Sequence, residues 1–503
     1  MISRIYLSLL VALTVVSGCK KGFLERYPQD QLVDQTFWTN ETTVRTFAFG
    51  FYTSYFSGFS TGFDLGWGGF FSGQSLNDDF APSSPSRFTQ VVPASGGGWS
   101  FGMVRKANLF INRVQTVPMG EDAIRHWTGV GRLFRGLEYS DLVQRFGDVP
   151  WYGKELTETD EELYKPRDSR TLVMDSVLAD FKYAAENVRV TDGAEGLTVN
   201  KNVVLALMSR VFLFEGTFLK YHNINQAKSK EYLEAAQWAA NEVMKSGKYS
   251  ISDNYRSVFN SVDLAGKKEI ILYRRYEAGL VTHSLHSYVN KEPQTGASKD
   301  AVESFLAKDG LPISISPLYK GDKTIANVMA DRDPRITETF APDLRLNGAA
   351  TNYSTSGYAV RKFFNEAIKD ALEGNGQLNI TDAPEIRYGE VLLNYAEATA
   401  ELGTLTQADL DKSINLLRSR PGIAMPKLQV LGNQPAVNGV AYNDPQRDPT
   451  VPALIWEIRR ERRTELMFEG FRLDDLKRWK KLEYTDTQAN NCLLYTSPSP
   501  RDS

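Results

Sequence analysis

Apolar side chains at helical spacing are the feature that most constrains how this chain can fold. Val130, Leu133, Phe134 and Leu137 stand at positions i, i+3, i+4 and i+7, and the pattern ends at Gly147. This spacing places apolar side chains on one face of an α-helix, and glycine is common just past a helix end. Further helices are predicted over residues 173–188, 203–218, 231–245, 390–402, 408–418 and 454–482. The sequence therefore predicts a mostly α-helical protein.

The connections between these segments predict how the helices pack. Short connections favour antiparallel neighbours, so we expect helix-turn-helix pairs that stack like a small solenoid. The sequence contains no exact internal repeat, so this expectation concerns the architecture alone.

Two stretches do not follow the helical pattern. Residues 51–100 are crowded with glycine, serine and aromatic residues, and residues 250–385 mix Pro, Gly, Tyr and Asp with short strand-like runs such as 269–273. We expect both stretches to be rich in loops. Binding sites concentrate on loops that a rigid scaffold holds, so these stretches are the candidates for a ligand site.

The N-terminus carries a short apolar run, residues 7–16, that ends at Val16-Ser17-Gly18-Cys19 behind a single positive charge at Arg4. The run is too short to span a bilayer. One acyl chain contributes about 0.8 kcal/mol per buried methylene and binds only reversibly, so a cysteine with several chains is needed for stable anchoring. The sequence predicts a lipoprotein signal peptide over residues 1–18, lipidation of Cys19 and a tether over 19–40. The alternatives are an ordinary secretory peptide and a buried N-terminal helix.

Composition excludes several classes of protein. The chain of 503 residues is 42% hydrophobic and 24% charged, so it can bury a large core. Its 58 basic and 61 acidic side chains leave no basic surplus for nucleic acid. Cys492 is the only cysteine besides Cys19, which excludes an internal disulfide framework.

Short motifs follow Cys19 in a fixed order along most of the chain. They are Phe23-Leu24-Glu25, Phe37-Trp38, Gly50-Phe51-Tyr52, Lys106-Ala107-Asn108, residues 131–136 and 142–150, Arg332-Asp333-Pro334-Arg335, and residues 386–398, 460–466, 468–470 and 474–479. Each motif alone is weak. Their order resembles the SusD/RagB family of outer-membrane nutrient-binding lipoproteins, with departures from its usual alanine-rich helix at Gly136 and Glu138.

This resemblance implies a SusD-like single domain over residues 41–483, mostly α, with tetratricopeptide-like helix pairs, a loop-rich ligand-binding region and short strands. Residues 41–250 form the first helical part with the aromatic loop 51–100, residues 251–385 the loop-rich region, and residues 386–483 the C-terminal helices. It also implies a lipid-anchored protein, exposed on the outer-membrane surface, that captures a nutrient and acts as the lid of a SusC-like TonB-dependent transporter. The resemblance implies no catalysis and no cofactor.

The nutrient implied by the resemblance is typically an oligosaccharide, although the RagB branch leaves a peptide or a glycoprotein glycan open. Sugar rings present C–H faces, so flat aromatic side chains beside hydrogen-bonding groups suit them. The candidate ligand-binding residues are Trp67, Asp64, Phe70, Asn77 and Asp78 in the first loop-rich stretch, and Tyr288, Asn290 and Tyr319 in the second. The alternative for Trp67 is a structural plug under a long loop.

Other functional patterns are weak. Residues 58–62 match the spacing of a nucleophile elbow, but no strand precedes the serine and no helix is predicted after it. His283 and His286 could share a helical face, but no third ligand is recognisable, so we expect no metal site. A surface glycan hydrolase and an adaptor that binds only protein partners remain the alternative functions.

The C-terminal part is highly charged and interrupted by apolar residues. Glu461, Arg462, Glu465 and Glu469 are interpreted as a structural ion network, and Asp474 is expected to pair with Arg478 one helical turn later, worth about 0.3 kcal/mol if exposed. Beyond Leu482 the helical pattern stops. We expect residues 484–503 to be a non-native or disordered tail on a truncated chain.

Overall fold

The computed structural model describes residues 37–62, 77–81, 99–292, 294–345 and 354–486. Cys19, the signal peptide and most of the tether lie outside these residues, as does the tail after Asp486. Of residues 484–486, which the sequence assigned to that tail, Tyr484 and Thr485 belong to a short 3₁₀ turn, Leu482–Thr485, and Asp486 follows it. The Tyr484 hydroxyl there donates to the Asp448 carboxylate.

Long helices build the first part of the molecule. They are α1 (Glu41–Tyr55), α2 (Gly102–Val114), α3 (Glu121–Phe146), α4 (Arg170–Asn187), α5 (Lys201–Tyr221) and α6 (Gln226–Lys245). Side chains of Asn40, Ser169, Asn200 and Asn225 accept hydrogen bonds from the first turns of α1, α4, α5 and α6. Helix α3 ends at Gly147, as predicted, with φ of +72°. Helix α1 covers residues 51–55, so the prediction that the loop-rich stretch begins at 51 is wrong by these five residues.

Consecutive helices pack as pairs, α3 with α4 and α5 with α6. Only residues 222–225 connect α5 to α6, so the two helices run antiparallel. Gly216 allows them to approach closely, because a Cβ there would lie 2.8 Å from the Leu233 side chain. Helix α5 is apolar and long enough to cross a membrane, but 89% of its apolar window is buried inside the protein. Helix α5 is therefore a helix of the protein core.

Short helices and strands follow. The helices are α7 (Leu285–Asn290), α8 (Lys299–Glu303), α9 (Ile325–Met329), α10 (Arg335–Thr339), α11 (Tyr388–Glu401), α12 (Gln407–Asp411), α13 (Ile414–Arg418), α14 (Ala453–Glu465) and α15 (Arg472–Arg478). The single helix predicted over 454–482 is wrong, because Phe468 and Gly470 adopt positive φ angles, +66° and +88°, between α14 and α15. The helix predicted over 408–418 is likewise divided into α12 and α13.

The strands form three small antiparallel sheets. Strand β1 (Phe80–Ala81) pairs with β3 (Gly296–Ala297), and β2 (Ile270–Arg274) pairs with β4 (Ala383–Arg387). Strands β5 (Gln429–Leu431), β6 (Gln434–Val437) and β7 (Val440–Ala441) form the third sheet. The strand predicted near 269–273 is thus β2, and it joins the loop-rich region to the start of α11.

Two hydrophobic cores support this arrangement. The first core collects the apolar faces of α1–α6, α11 and α14. The second core lies in the loop-rich region and includes Phe59, Tyr255, Phe259, Phe363 and Phe468. Leu466 belongs to the first core and Met467 to the second, so the chain passes directly from one core to the other after α14.

A buried ion network joins segments of both cores at this point. Its members are Glu269, Arg335, Arg387, Arg418, Arg420, Glu461 and Glu465, each at most 2% exposed. The Glu465 carboxylate contacts three guanidinium groups, those of Arg335 at 2.9 Å, Arg387 at 2.8 Å and Arg420 at 3.0 Å. These cations hold the pKa of Glu465 well below its usual range, against the opposing effect of burial. Charges buried this deeply are tolerated because each has a partner.

The four residues that the sequence assigned to an ion network all lie in ion pairs. Glu461 and Glu465 belong to the buried network, Glu469 contacts Arg387 and Lys362 at 2.7 Å, and Arg462 contacts Asp475 at 2.8 Å. The pairing predicted for Asp474 is wrong. Arg478 binds Asp475 and Glu397, whereas Asp474 contacts Lys477 at 3.3 Å.

Candidate functional site

A cavity of about 540 Å³ lies where the helical pairs meet the loop-rich region, and we call it the main cavity. Its wall combines the turn after α1 with one face each of α3 and α5, the β4–α11 junction and the segment from Glu469 to Arg478. The volume is within the range of pockets that bind small molecules. The wall contains both aromatic rings and charged side chains.

Seven aromatic side chains line the main cavity: Tyr55, Phe56, Phe59, Phe214, Phe259, Phe363 and Phe471. Phe59 and Phe259 both contact Phe363 edge to face, with ring centroids 5.7 and 6.1 Å apart. These contacts fix the rings against one another. The wall therefore offers rigid apolar surface for the flat face of a ligand.

Four arginines of the wall are already bound to carboxylates. Arg210 holds Glu390 through two hydrogen bonds of 2.6 and 2.7 Å, and its guanidinium carbon lies 5.1 Å from the centroid of the Phe471 ring. Arg387 belongs to the buried ion network. Arg462 and Arg478 share Asp475. None of these cations is without an anionic partner.

Glu385 is the carboxylate of the wall for which the described residues supply no ion-pair partner. Its Oε1 accepts a hydrogen bond from the backbone N–H of Gly58, and among the residues that the structure describes no lysine or arginine nitrogen lies within 4.0 Å of the carboxylate. Burial raises the pKa of Glu385 to about 7, although Arg210 and Arg274 act in the opposite direction. Burial also raises the pKa of Asp474. The acidic side of the wall is therefore only partly neutralised.

The hydroxyl and amide groups of the wall are Ser57, Ser60, Ser140 and Gln144, together with the Tyr55 hydroxyl. Tyr55 donates a hydrogen bond of 2.7 Å to Glu138, and burial raises the pKa of this glutamate. Glu138 is one of the two positions where the sequence departs from the alanine-rich family helix. The departure supplies a partly buried acceptor beside the cavity.

The aromatic loop that the sequence singled out begins and ends near this wall. Asp64, Trp67 and Phe70 lie outside the described residues. On one side of them, the Gly62 N–H donates to Thr282 O and the Ser284 hydroxyl donates to Gly62 O, both at 2.8 Å. On the other side, Arg472 binds Asp78 through two hydrogen bonds of 2.6 Å, and Arg472 follows the cavity residue Phe471.

Asn77 and Asp78 are buried and bound by protein groups. Asn77 accepts a hydrogen bond of 2.9 Å from the Asp79 N–H. Asp78, 2% exposed, contacts Arg463 in addition to Arg472, and these cations lower its pKa although burial acts in the opposite direction. Asp78 lines a second cavity of about 350 Å³, with Trp456, Trp479 and Tyr484 among its other residues. The structure thus gives Asn77 and Asp78 structural contacts, and their predicted role in ligand binding remains a prediction.

The other three predicted residues line neither cavity. The Asn290 side chain donates to Lys369 O at 2.8 Å, and Tyr288 is half-buried against the second core. Tyr319 is half-buried, with the Arg332 guanidinium carbon 5.6 Å from the centroid of its ring. The structure does not bring these three residues together with Asp78 around one cavity, and their role in binding also remains a prediction.

The two histidines considered for a metal site form hydrogen bonds to backbone groups through their ring nitrogens. His283 Nε2 lies 2.9 Å from Thr381 O, and both ring nitrogens of His286 lie within 3.2 Å of carbonyl oxygens. Burial lowers the pKa of His283 to about 3, so its ring is neutral. Within the described ranges, no group of three or more His, Cys, Asp or Glu side chains is placed to hold a metal ion.

Residues of the main cavity such as Arg210 and Glu385 did not emerge from the sequence. One signal was available for Arg210, because it is the one charged residue in the otherwise apolar run 203–214. Glu385 had no comparable signal. It precedes a recognised motif, residues 386–398, without belonging to it.

The architecture defines the class of this protein as a mostly α-helical SusD-like fold. A solved SusD-like carbohydrate binding protein from Bacteroides fragilis has a TM-score of 0.69 to this structure at 22% identity, and the alignment covers 90% of this chain and 88% of that one. A solved laminarin binding SusD-like protein has a TM-score of 0.59 at 19% identity, with 90% and 94% of the two chains covered. These similarities establish the fold.

Sequence comparison agrees with the fold. Residues 287–497 match the model of the SusD family. A SusD-like protein from Formosa agariphila is 24% identical over 515 aligned positions, which cover 94% of this chain and 90% of that protein. Together with the fold, these matches confirm the resemblance to the SusD/RagB family found in the sequence.

Proposed function

We propose that this protein binds an oligosaccharide at the cell surface and does not convert it chemically. Two of its structural relatives are named for carbohydrate or laminarin binding, which supports a glycan as the ligand class. The expected lipid anchor at Cys19 supports a place at the outer-membrane surface. In this proposal the protein is the lid of a SusC-like TonB-dependent transporter, to which it hands over the captured glycan.

The observation that carries the glycan proposal is the composition of the main cavity. Rigid aromatic rings alternate there with hydroxyl, amide and carboxylate groups, among them Phe59, Ser60 and Glu385. A sugar ring needs both kinds of contact, since its C–H face stacks on an aromatic ring while its hydroxyl groups exchange hydrogen bonds. The predicted aromatic residue Trp67 belongs to a loop whose two ends are fixed next to this wall.

The test is a binding screen with the chain from Cys19 onward against neutral, amino and acidic oligosaccharides and against short peptides, followed by isothermal titration of each hit. We expect one glycan class to bind, and Trp67→Ala to weaken its binding by about tenfold or more. Trp238→Ala is the matched control, because Trp238 is 45% exposed on α6 and lines neither cavity. Unchanged affinity in Trp67→Ala would remove the loop from the site. Binding of the transporter but of no glycan or peptide would favour the adaptor.

One observation favours the hydrolase alternative. Glu385 has a raised pKa in a cavity, which is also the property of a glycosidase general acid. A glycosidase needs a second, ionised carboxylate beside the scissile bond, and Glu390, the wall carboxylate nearest to Glu385 in sequence, is held by two hydrogen bonds from Arg210. We therefore expect no product release when the bound glycan is incubated with the protein and analysed by chromatography. Release that Glu385→Gln abolishes would establish the hydrolase instead.

A further inference from the structure

The charges on the wall of the main cavity are unbalanced toward the acidic side. Among the described residues, six carboxylates line the cavity, those of Asp141, Glu385, Glu390, Glu469, Asp474 and Asp475, against the four guanidinium groups of Arg210, Arg387, Arg462 and Arg478. Three of these arginines also neutralise carboxylates behind the wall. Arg387 binds Glu465, and Arg462 and Arg478 both contact Glu397. Cations outside the wall in turn pair with three of the wall carboxylates, Arg145 with Asp141, Lys362 with Glu469 and Lys477 with Asp474. Among the described wall carboxylates, the one that remains without an ion-pair partner is Glu385.

Glu385 is the position at which the negative charge of the cavity wall stays unpaired. The groups that face its carboxylate are the Gly58 N–H from the turn after α1, Arg210 from α5 and Arg274 from β2. Arg210 is committed to Glu390, and Arg274 donates to Ser57 O at 2.6 Å. The Asp474 carboxylate on α15 also acts electrostatically on Arg210. One guanidinium group therefore interacts with three carboxylates, those of Glu385, Glu390 and Asp474. A cation from outside the protein would complete this group.

The aromatic rings favour the same kind of ligand. The face of an aromatic ring attracts a cation within about 6 Å, most strongly where water is excluded. Phe471 already shows this in the wall, with the Arg210 and Arg462 guanidinium carbons 5.1 and 5.5 Å from its ring centroid. Phe56, Phe59 and Tyr55 line the same cavity as Glu385. A carboxylate together with aromatic rings binds an ammonium group better than it binds a neutral hydroxyl group, and it repels a carboxylate or a sulfate.

We propose that the glycan of the main cavity is an amino sugar, whose protonated amine is held by Glu385 and the surrounding aromatic rings. This inference rests on the proposed function, because it names the substrate class of the same site. It also predicts that uronic acid and sulfated glycans are excluded. A neutral glycan would leave Glu385 without a cationic partner.

The test compares matched tetrasaccharides by isothermal titration at neutral pH. The de-N-acetylated chitotetraose carries amines, and the N-acetylated chitotetraose has the same backbone without the charge. We expect the amine form to bind about tenfold more tightly or better, and Glu385→Gln to abolish this preference, measured as the ratio of the two dissociation constants. Glu385→Asp keeps the charge and should retain part of the preference. Glu234→Gln on the exposed face of α6, paired with Lys230, is the control that should change nothing.

The possible outcomes separate this inference from the proposed function. Equal or tighter binding of the acetylated form, or of neutral laminaritetraose, overturns the amino sugar and leaves glycan binding intact. Preference for the amine form that survives Glu385→Gln overturns the role of Glu385. Binding of trilysine without binding of any glycan overturns both proposals, because the amine would then belong to a peptide. Thermal unfolding of each variant shows that a loss of binding is not a loss of fold.

Discussion

At the scale of single residues, Glu385 and Glu465 show opposite solutions for a carboxylate surrounded by protein. Glu465 has three guanidinium partners within 3.0 Å and stays ionised. Glu385 has one backbone N–H and an elevated pKa. Burial disfavours the charged form of both, and the difference lies in the number of cations that compensate it. Glu465 is therefore suited to stabilising the fold, and Glu385 is suited to binding a ligand.

The stability of the protein should depend on pH through Glu385. The pKa of Glu385 is about 7 in the folded protein and its ordinary value is 4.5, so the folded state binds more protons between these values. The stabilisation due to its protonation is present below pH 4.5 and is lost as the pH rises through 7. We expect Glu385→Gln to be more stable than the unmodified protein above pH 7 and to have a flatter profile between pH 5 and 8. Urea unfolding across this range measures it. An identical pH profile in the variant would contradict the assignment.

Removing the Glu465 carboxylate should be strongly destabilising. Glu465→Gln leaves three buried guanidinium groups without one of their anions, and breaking a buried pair from one side typically costs about 3–5 kcal/mol. The free energy of urea unfolding gives this cost. Glu234→Gln removes an exposed ion pair on α6 and should change stability by less than about 1 kcal/mol. A similar small effect at Glu465 would show that the buried ion network does not contribute as described.

At the scale of elements, the helices follow the periodicity of the sequence where one apolar face meets one neighbour. Prediction succeeded for α3 to α6 because spacing and capping are local properties of the chain. It failed between α14 and α15, where apolar and charged residues continue at helical spacing through Phe468 and Gly470. There Phe468 and Met467 turn into the second core, and this contact overrides the local preference for a helix.

The pairing of α5 with α6 depends on a small residue at their contact. A Cβ at Gly216 would lie 2.8 Å from the Leu233 side chain and 3.0 Å from its backbone nitrogen. We expect Gly216→Ala to destabilise the protein by about 1–3 kcal/mol through overpacking, although alanine favours helices. Thermal or urea unfolding measures the change. Gly102→Ala, at the first residue of α2 with the new Cβ in ordinary contact with the Ser100 side chain at 3.6 Å, should be nearly neutral. Equal effects of the two substitutions would contradict the close approach.

At the scale of the whole molecule, contacts between distant parts of the chain position the binding region. Arg463 and Arg472 near the C-terminus bind Asp79 and Asp78, which are nearly 400 positions earlier. The pair fixes one end of the aromatic loop beside α15, and the β1–β3 pairing fixes it to the loop-rich region. The C-terminal helices thus hold residues 78–81, which follow the predicted binding residues Asp64, Trp67 and Phe70 in the chain.

Removing the Arg472–Asp78 ion pair should increase the local opening of residues 77–81 without unfolding the helical pairs. Arg472→Ala leaves Asp78 with Arg463 as its remaining cationic partner, so we expect faster amide hydrogen exchange in 77–81 and unchanged exchange in α3–α6. Lys477→Ala is the control, because the ion pair of Lys477 among the described residues is with Asp474 and does not involve residues 77–81. A uniform loss of protection from amide exchange across the molecule would mean that the Arg472–Asp78 ion pair stabilises the whole fold.

The helical class, the main helix ends and the family resemblance could be predicted from the sequence, because periodicity, caps and ordered motifs depend on residues close together in the chain. The structural role of Glu461 and Glu465 could be predicted too, but not their three-cation pairing. The main cavity could not be predicted. Its wall joins Tyr55, Arg210, Glu385 and Phe471, and only the packing of the helical pairs against the second core brings these residues to one place. The charge balance that favours a cationic ligand follows from the same packing, since it depends on which arginines are already paired.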